Sequence, residues 1–378
     1  MNIHNFKIKT NIFFGQNSLN KLKEINNKRV MIVTDAFMLQ SGAVDKIKNK
    51  LDDCNIFIFS DITPDPTLEI VTKGIEKLIE FKPEVMIALG GGSPIDAAKA
   101  IREISKKANM QNDTVLIAIP TTSGTGSEVT MFSVITDKKN GIKYPLVSDD
   151  LLPDIAILDP ELVMTAPPNV TADTGMDVIT HALEAYVSIN ASDCSDAFAE
   201  KSLSLAFKYL IRAYKDGNDL EAREKMHNAS CIAGIAFNYA SLGLNHGIAH
   251  ALGGSFRISH GRANAMLLPQ IIEYNADLDG THVVRYNEAA KKYYNIAKFL
   301  ELPAPNIRIG VKNLIYEIKQ MQKIMKMPAT LEQHGVDCKM VEKLKDQLAE
   351  KALSDTCTQT NPRIPTKEEV IKIISKLM

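Results

Sequence analysis

EVMIALGGGSPIDAAK (84–99) runs an unbroken apolar stretch into a glycine triplet and then into a helical pattern. A run dense in aliphatic residues, without polar alternation, marks a strand buried on both faces. RVMIVTD (29–35), NIFIFSD (55–61), TVLIAIP (114–120) and DIAILD (154–159) are stretches of the same kind, and helical patterns near 40–51, 67–81 and 93–107 lie between them. Alternating βα units of this length predict a parallel sheet wrapped by helices. KIKTNIFFG (7–15) reads as an additional strand, in a hairpin arm.

After LDPELVMTAPPNVTADTG (158–175) the texture changes. Pro160, Pro167 and Pro168 punctuate the chain and strand-like runs nearly vanish. DVITHALEAYV (177–187), SDAFAEKSLSLAFKYLIRAY (195–214) and AREKMHNASCIAGIAFNYA (222–240) all carry helical patterns. The segment TKEEVIKIISKLM (366–378) opens on a capping box, Thr366 and Glu369, with an apolar stripe at Val370, Ile371, Ile374 and Leu377. The expected architecture is an α/β domain with a parallel sheet over 1–168, followed by an all-α domain over 169–378.

A chain of 378 residues accommodates about two such domains. With 44 basic and 45 acidic residues the net charge is −1, which steers the protein neither to nucleic acid nor to an anionic membrane. MNIHNFKIKT lacks the apolar core of a secretory signal, and no apolar run reaches the roughly 18 residues of a membrane helix. Five cysteines, an odd number without a CxxC pair, argue for a reducing compartment and against a disulfide framework or thiolate metal site. A cytoplasmic location is expected, with Cys194 as a packing residue.

Two polar turns follow predicted strands. In GGGS (90–93), Gly91, Gly92 and Ser93 open a helix, where backbone N–H groups and the helix dipole favour a pyrophosphate; an ordinary tight βα turn is the alternative. No GxGxxG is present. In PTTSGTGSE (120–128), Thr121, Thr122 and Thr125 place hydroxyls at a strand's C-terminal end, where open α/β sheets bind ligands. Asp35 ends another strand. A carboxylate there suits a ribose diol and repels a 2′-phosphate, favouring NAD(H); capping the next helix is the competing role.

Histidine is scarce, 8 residues in all, yet His181, His246, His250 and His260 fall within one segment. Asp177 and His181 are spaced i, i+4, so a helix aims both at one point. His246 and His250 repeat that spacing in HGIAHALGG (246–254), and His260 follows a glycine-containing turn. Asp177, His181, His246 and His260 would make a three-imidazole, one-carboxylate shell suited to Fe²⁺ or Zn²⁺. Scattered polar residues on helix faces would give the same spacing.

Taken together, ITPDPT (62–67), GGGSPIDAAKA (90–100), IPTTSGTGSEVT (119–130), TGMDVITHALEAYVS (174–188), LGLNHGIAHALGG (242–254), SHGRANAMLLP (259–269) and TNPRIPT (360–366) resemble the iron-containing, group III metal-dependent alcohol dehydrogenases. KYPLVSDDLLPDIAILDPELV and KMHNASCIAGIAF are most similar to the 1-propanol dehydrogenases associated with propanediol-utilising microcompartments. The resemblance implies that Asp177, His181, His246 and His260 hold iron, with Zn²⁺ as the alternative. It sets His250 beside the substrate, where an imidazole can relay a proton. It adds Asp96 beside the nicotinamide, Lys143 near its ribose and Leu158 as further NAD(H) contacts. It also implies a homodimer or larger homo-oligomer. One departure is visible: ISKKANMQNDTV (104–115) is shorter than the insertion many members carry there.

The expected reaction is reversible hydride transfer between a primary alcohol and nicotinamide, with the metal as Lewis acid toward the alcohol or aldehyde oxygen. A polyol dehydrogenase on the same scaffold is the nearest alternative. A dehydroquinate synthase-type lyase would need more cations near the metal than the Arg257 that 177–188 and 242–260 offer. A non-catalytic scaffold would not need an open metal position. Phe132, Phe237 and Phe256 are candidates for the substrate pocket.

Overall fold

The computed structural model describes residues 5–109, 114–139, 142–278 and 285–378. The chain divides into two compact units, 1–166 and 167–378.

The first unit contains β1 (Asn11–Phe14), β2 (Arg29–Asp35), α1 (Ala36–Gln40), α2 (Ala43–Lys48), β3 (Asn55–Ile62), α3 (Leu68–Phe81), β4 (Val85–Gly90), α4 (Gly92–Lys107), β5 (Val115–Pro120), β6 (Phe132–Asp137), β7 (Ile142–Val147) and β8 (Ile155–Leu158). Six strands form one parallel sheet in the order β1-β8-β5-β4-β2-β3. The central strands β2, β4, β5 and β8 are apolar through their middles because both faces are covered. On β2, Val30 and Ile32 join one core with Leu22, Val44, Ile47 and Ile87. Met31 and Val33 join the other with Val71, Leu78, Met86 and Ile101 from α3, β4 and α4. Period-two alternation thus splits one apolar run between two cores.

The order reverses between β2 and β4, because the chain steps from β2 outward to β3 and then returns to build β4, β5 and β8 on the other side. Such a reversal opens a crevice beyond the strands' C-terminal ends. Asp35 ends β2 and Gly90 ends β4, so the carboxylate and the glycine turn flank that point.

Two expectations are corrected here, and one element is added. Residues 7–15 make no hairpin arm: β1 lies parallel to β8 at the sheet edge, anchored where the Thr10 hydroxyl donates to the Pro153 carbonyl at 2.8 Å. The helix expected near 40–51 is two short ones, broken where Gly42 takes φ of 80°, a left-handed conformation that glycine adopts without strain. The antiparallel pair β6–β7 was not anticipated. Its sequence signal is the Asn-Gly dipeptide in KKNG (138–141), between two β-rich runs.

The second unit is helical: α5 (Pro168–Val187), α6 (Asp193–Lys215), α7 (Leu220–Ala240), α8 (Leu244–Phe256), α9 (His260–Ala276), α10 (Glu288–Phe299), α11 (Ile307–Ile324), α12 (Cys338–Ser354) and α13 (Lys367–Ser375). Pro168 starts α5 at a position where a missing N–H costs nothing. From Gly175 to Val187 every residue of α5 is buried, because α6, α7, α9 and α10 surround it. Each large apolar side chain there stabilises the unit by about 2 kcal/mol. α8, α9, α12 and α13 share another core through Ile248, Leu252, Leu267, Leu348, Ile374 and Leu377. The capping box at Thr366 and Glu369 forms as read, and Val370, Ile374 and Leu377 are buried. Cys194 is exposed in the first turn of α6 and does not pack. All five cysteines are free, and among the described residues no helix is long and apolar enough to cross a membrane.

Gly261 presses against the backbone carbonyl of Asp173, so a Cβ there would meet atoms that cannot turn aside. Gly261→Ala should lower the unfolding free energy by about 1–3 kcal/mol, read by urea denaturation; an unchanged midpoint would show that the α5–α9 approach is soft.

Candidate metal and nucleotide sites

α5 carries Asp177 and His181 four residues apart on one face, both buried. α8 brings His246, also buried, and α9 begins with His260, whose side chain is 42% exposed. Nε2 of His181 and of His246 each lie 3.9 Å from Asp177 Oδ1, and Nε2 of His260 lies 3.6 Å from it. The four ligand atoms all fall within 4.8 Å of one another. Atoms each about 2.1 Å from a shared ion stand roughly 3–4 Å apart, so the set fits one divalent cation.

The surroundings support that fit. Burial, reinforced by the neighbouring imidazoles, holds His246 well below the usual imidazole range, which leaves it neutral with a lone pair to offer. Asn264 Nδ2 stands 2.7 Å from Asp177 Oδ1, 3.1 Å from His246 Nε2 and 3.2 Å from His260 Nε2. An electropositive amide among three acceptors shows what the cluster attracts. The Asn264 amide is oriented in turn by Asn245, whose Nδ2 donates to its Oδ1 at 2.8 Å.

His250 lies beside this group, its ring stacked on His260 at 5.2 Å between centroids. Its Nδ1 is 2.8 Å from Asp355 Oδ2, and Asp355 Oδ1 accepts the Cys357 N–H at 2.8 Å. The hydrogen bond and charge of His250 hold the Asp355 carboxyl below its ordinary range despite burial. Sequence reading missed Asp355, because the 105 residues between the partners leave no periodic trace. Phe237 packs on His181 at 4.6 Å between ring centroids. Phe256 packs against the α8–α13 core and Phe132 sits on β6.

In the first unit the two polar turns meet. A Cβ on Gly91 would lie 3.3 Å from Thr122 Oγ1, and one on Gly92 would lie 3.0 Å from Thr125 Cγ2. Thr121 N–H donates to the Gly90 carbonyl at 2.9 Å. α4 starts at Gly92 with Ser93 in its first turn, no side-chain cap and no acidic residue there. A 16-residue helix with an uncapped N-terminus after a glycine turn suits an anionic group such as a pyrophosphate. Asp35 Oδ1 accepts the Met38 N–H at 2.9 Å, capping α1. Leu158 is buried at the end of β8, two strands from β4. The backbone of Lys143 lies on β7 opposite Thr136, and its side chain falls outside the described residues.

Asp96 is committed within its own unit: Oδ1 accepts from Ser127 Oγ at 2.6 Å and Oδ2 from the Val134 N–H at 3.0 Å. Lys99, one helical turn on, is fully buried. Its Nζ donates to Ser127 Oγ at 3.0 Å, the Thr130 carbonyl at 2.8 Å and the Phe132 carbonyl at 2.9 Å. Burial brings the ammonium down to about 8 and raises Glu128 to about 7. Asp96 and Lys99 thereby pin the loop between β5 and β6 to α4. Lys99 was missed because it reads as one more polar residue on an amphipathic helix.

Residues 9–160 match the iron-containing alcohol dehydrogenase family, and residues 171–378 match the C-terminal part of the Fe-containing alcohol dehydrogenase family. The chain belongs to the iron-containing alcohol dehydrogenases. It is 44% identical to the 1-propanol dehydrogenase PduQ of Citrobacter freundii over 376 residues, 99% of each chain. It is 39% identical to an NADPH-dependent butanol dehydrogenase of Clostridium saccharobutylicum, covering 97% of this chain and 96% of that one. Among solved structures it is similar to a 1,3-propanediol oxidoreductase, with a TM-score of 0.89 and 30% identity over the whole of both chains.

Lys99→Met should cost roughly 3–5 kcal/mol by leaving buried acceptors without a donor and removing the positive charge near Asp96. Calorimetry of the stripped protein should show the loss; a wild-type melting profile would mean that the loop needs no tether.

Proposed function

We propose that this member of the iron-containing alcohol dehydrogenases interconverts short-chain aldehydes and primary alcohols, such as propanal and 1-propanol, with NAD(H). The observation that carries the proposal is the convergence of Asp177, His181, His246 and His260 within 4.8 Å, in a chain aligned from end to end with a 1-propanol dehydrogenase. Fe²⁺ is the proposed metal by family. Zn²⁺ is the competitor, since such a donor set favours it in raw affinity.

Those four residues would hold the ion, which when bound supplies Lewis-acid polarisation of the substrate's C–O bond. The backbone N–H groups at Gly91–Ser93, with the Thr121, Thr122 and Thr125 loop beside them, would hold the cofactor's pyrophosphate. Asp35 has a second carboxylate oxygen beyond the one that caps α1. From the end of β2 it would accept from a ribose diol and repel a 2′-phosphate. Asp96 would act by fixing the β5–β6 loop, with Lys143 and Leu158 as outer contacts. His250 would take the proton of the alcohol hydroxyl at Nε2 while Nδ1–H stays on Asp355, and its partial exposure lets the proton pass to water. The sequence resemblance further supports a homo-oligomer in the cytoplasm, within an enclosed bacterial microcompartment.

Metal-free protein reloaded anaerobically with Fe²⁺ should oxidise NADH with propanal, and far more slowly with NADPH. Absence of turnover with both Fe²⁺ and Zn²⁺, across propanal, butanal and 3-hydroxypropanal, would refute the reading. Asp35→Gly should shift the NADPH/NADH preference by at least about 10-fold. Asp355→Asn should lower kcat by about 10- to 100-fold with little change in KM; a kcat equal to wild type would remove the dyad from proton transfer.

A further inference from the structure

Glu184 continues the face of α5 that carries Asp177 and His181, at i+7 from the first and i+3 from the second. Its side chain is buried among the first residues of α8. Oε1 accepts the Asn245 N–H at 2.7 Å, and Oε2 is hydrogen-bonded to His246 Nδ1. Gly243, at the N-cap of α8, has no side chain to offer. A Cβ there would lie 2.7 Å from Glu184 Oε1, so the glycine makes room for a carboxylate from another helix. Nε2 of His246, on the far side of the ring, faces Asp177 Oδ1.

We propose that Glu184 is a positioning residue of the metal centre: its Oε2 holds His246 by Nδ1–H, so that Nε2 presents its lone pair to the point shared with Asp177, His181 and His260. The inference rests on the metal reading above and adds to it a residue that touches no ion. The physical argument is local. An imidazole that ligates through Nε2 has only Nδ1 left for its proton, and a buried acceptor opposite fixes ring angle and tautomer together.

Glu184 also caps α8, and one substitution separates the two roles. Glutamine keeps the shape and one acceptor oxygen. Asn245 N–H faces one carboxylate oxygen and His246 Nδ1 the other, and an amide keeps an acceptor oxygen at only one of those two positions. If the amide oxygen stays on Asn245, its NH₂ meets Nδ1 and drives the imidazole proton to Nε2, the wrong side. A residue that merely caps the helix would tolerate Glu184→Gln.

The test is anaerobic titration of the metal-free, full-length protein with Co²⁺, followed by its visible d–d absorption and by the melting temperature before loading. Wild type should bind one Co²⁺ and His246→Ala should not; failure of either would sink the metal reading itself. With that in place, Glu184→Gln should bind Co²⁺ 10- to 100-fold more weakly with an altered spectrum, while circular dichroism stays native. Wild-type affinity and spectrum in Glu184→Gln would overturn the positioning role. Should that variant fail to fold, ¹⁵N-resolved spectra of the Zn²⁺-loaded wild type decide the matter. The His246 Nδ1–H is expected far downfield and protected from solvent exchange. A signal that exchanges as fast as that of His250 would overturn the proposal.

Discussion

Three imidazole nitrogens and one carboxylate oxygen gathered within 4.8 Å attract a cation and gain nothing from one another. Packing must therefore hold them together. α5 supplies the means: over 175–187 it is buried on every side, so its polar face has to be satisfied inside the protein. A helix wholly surrounded by others can carry ligands only if each has a partner. Asn264 reaches Asp177, His246 and His260, and Glu184 holds Asn245 and His246, linking α5 to α8 and α9 through hydrogen bonds. The close approach of Gly261 to the Asp173 carbonyl brings the start of α9, and hence His260, within reach of the same point.

The first unit solves a different problem. An anion needs backbone N–H groups held open, and an open loop needs to be held by something else. Here α4 does both. Its N-terminus is left uncapped at Gly91–Ser93, while Asp96 and Lys99, on its first two turns, fix the facing loop. Burying an ammonium and a carboxylate in one network is costly unless hydrogen bonds satisfy them, and Lys99 Nζ donates to that loop and to the first residue of β6.

Much of this was legible in the sequence, for physical reasons. Strands buried on both faces must be apolar throughout, so the five principal strands of the parallel sheet stood out. Asp177 and His181 are local in sequence, and one helical turn brings them together. What escaped notice depends on long-range geometry or on ambiguous chemistry. Asp355 meets His250 across 105 residues. Lys99 looks like any helix-face lysine until the fold closes over it. Glu184 was within reach: it extends the i, i+4 pair of Asp177 and His181 to i+7, and a carboxylate on a face already carrying ligands has no solvent role. β1 went astray because a short edge strand shows neither clean alternation nor a continuous apolar run, so its pairing direction could not be read.

α8, which bears two histidines, takes its packing partners from far along the chain. Its N-terminal Leu244 N–H donates to Asn361 Oδ1, Gly247 approaches Thr358, and its apolar face is covered by α12 and α13, down to Leu377. A ribosome would expose His246 and His250 well before α12 and α13, which begin at Cys338 and Lys367. Contacts of such sequence separation close late in folding. The cluster is thus a product of the finished fold, complete only once the last helices cover α8.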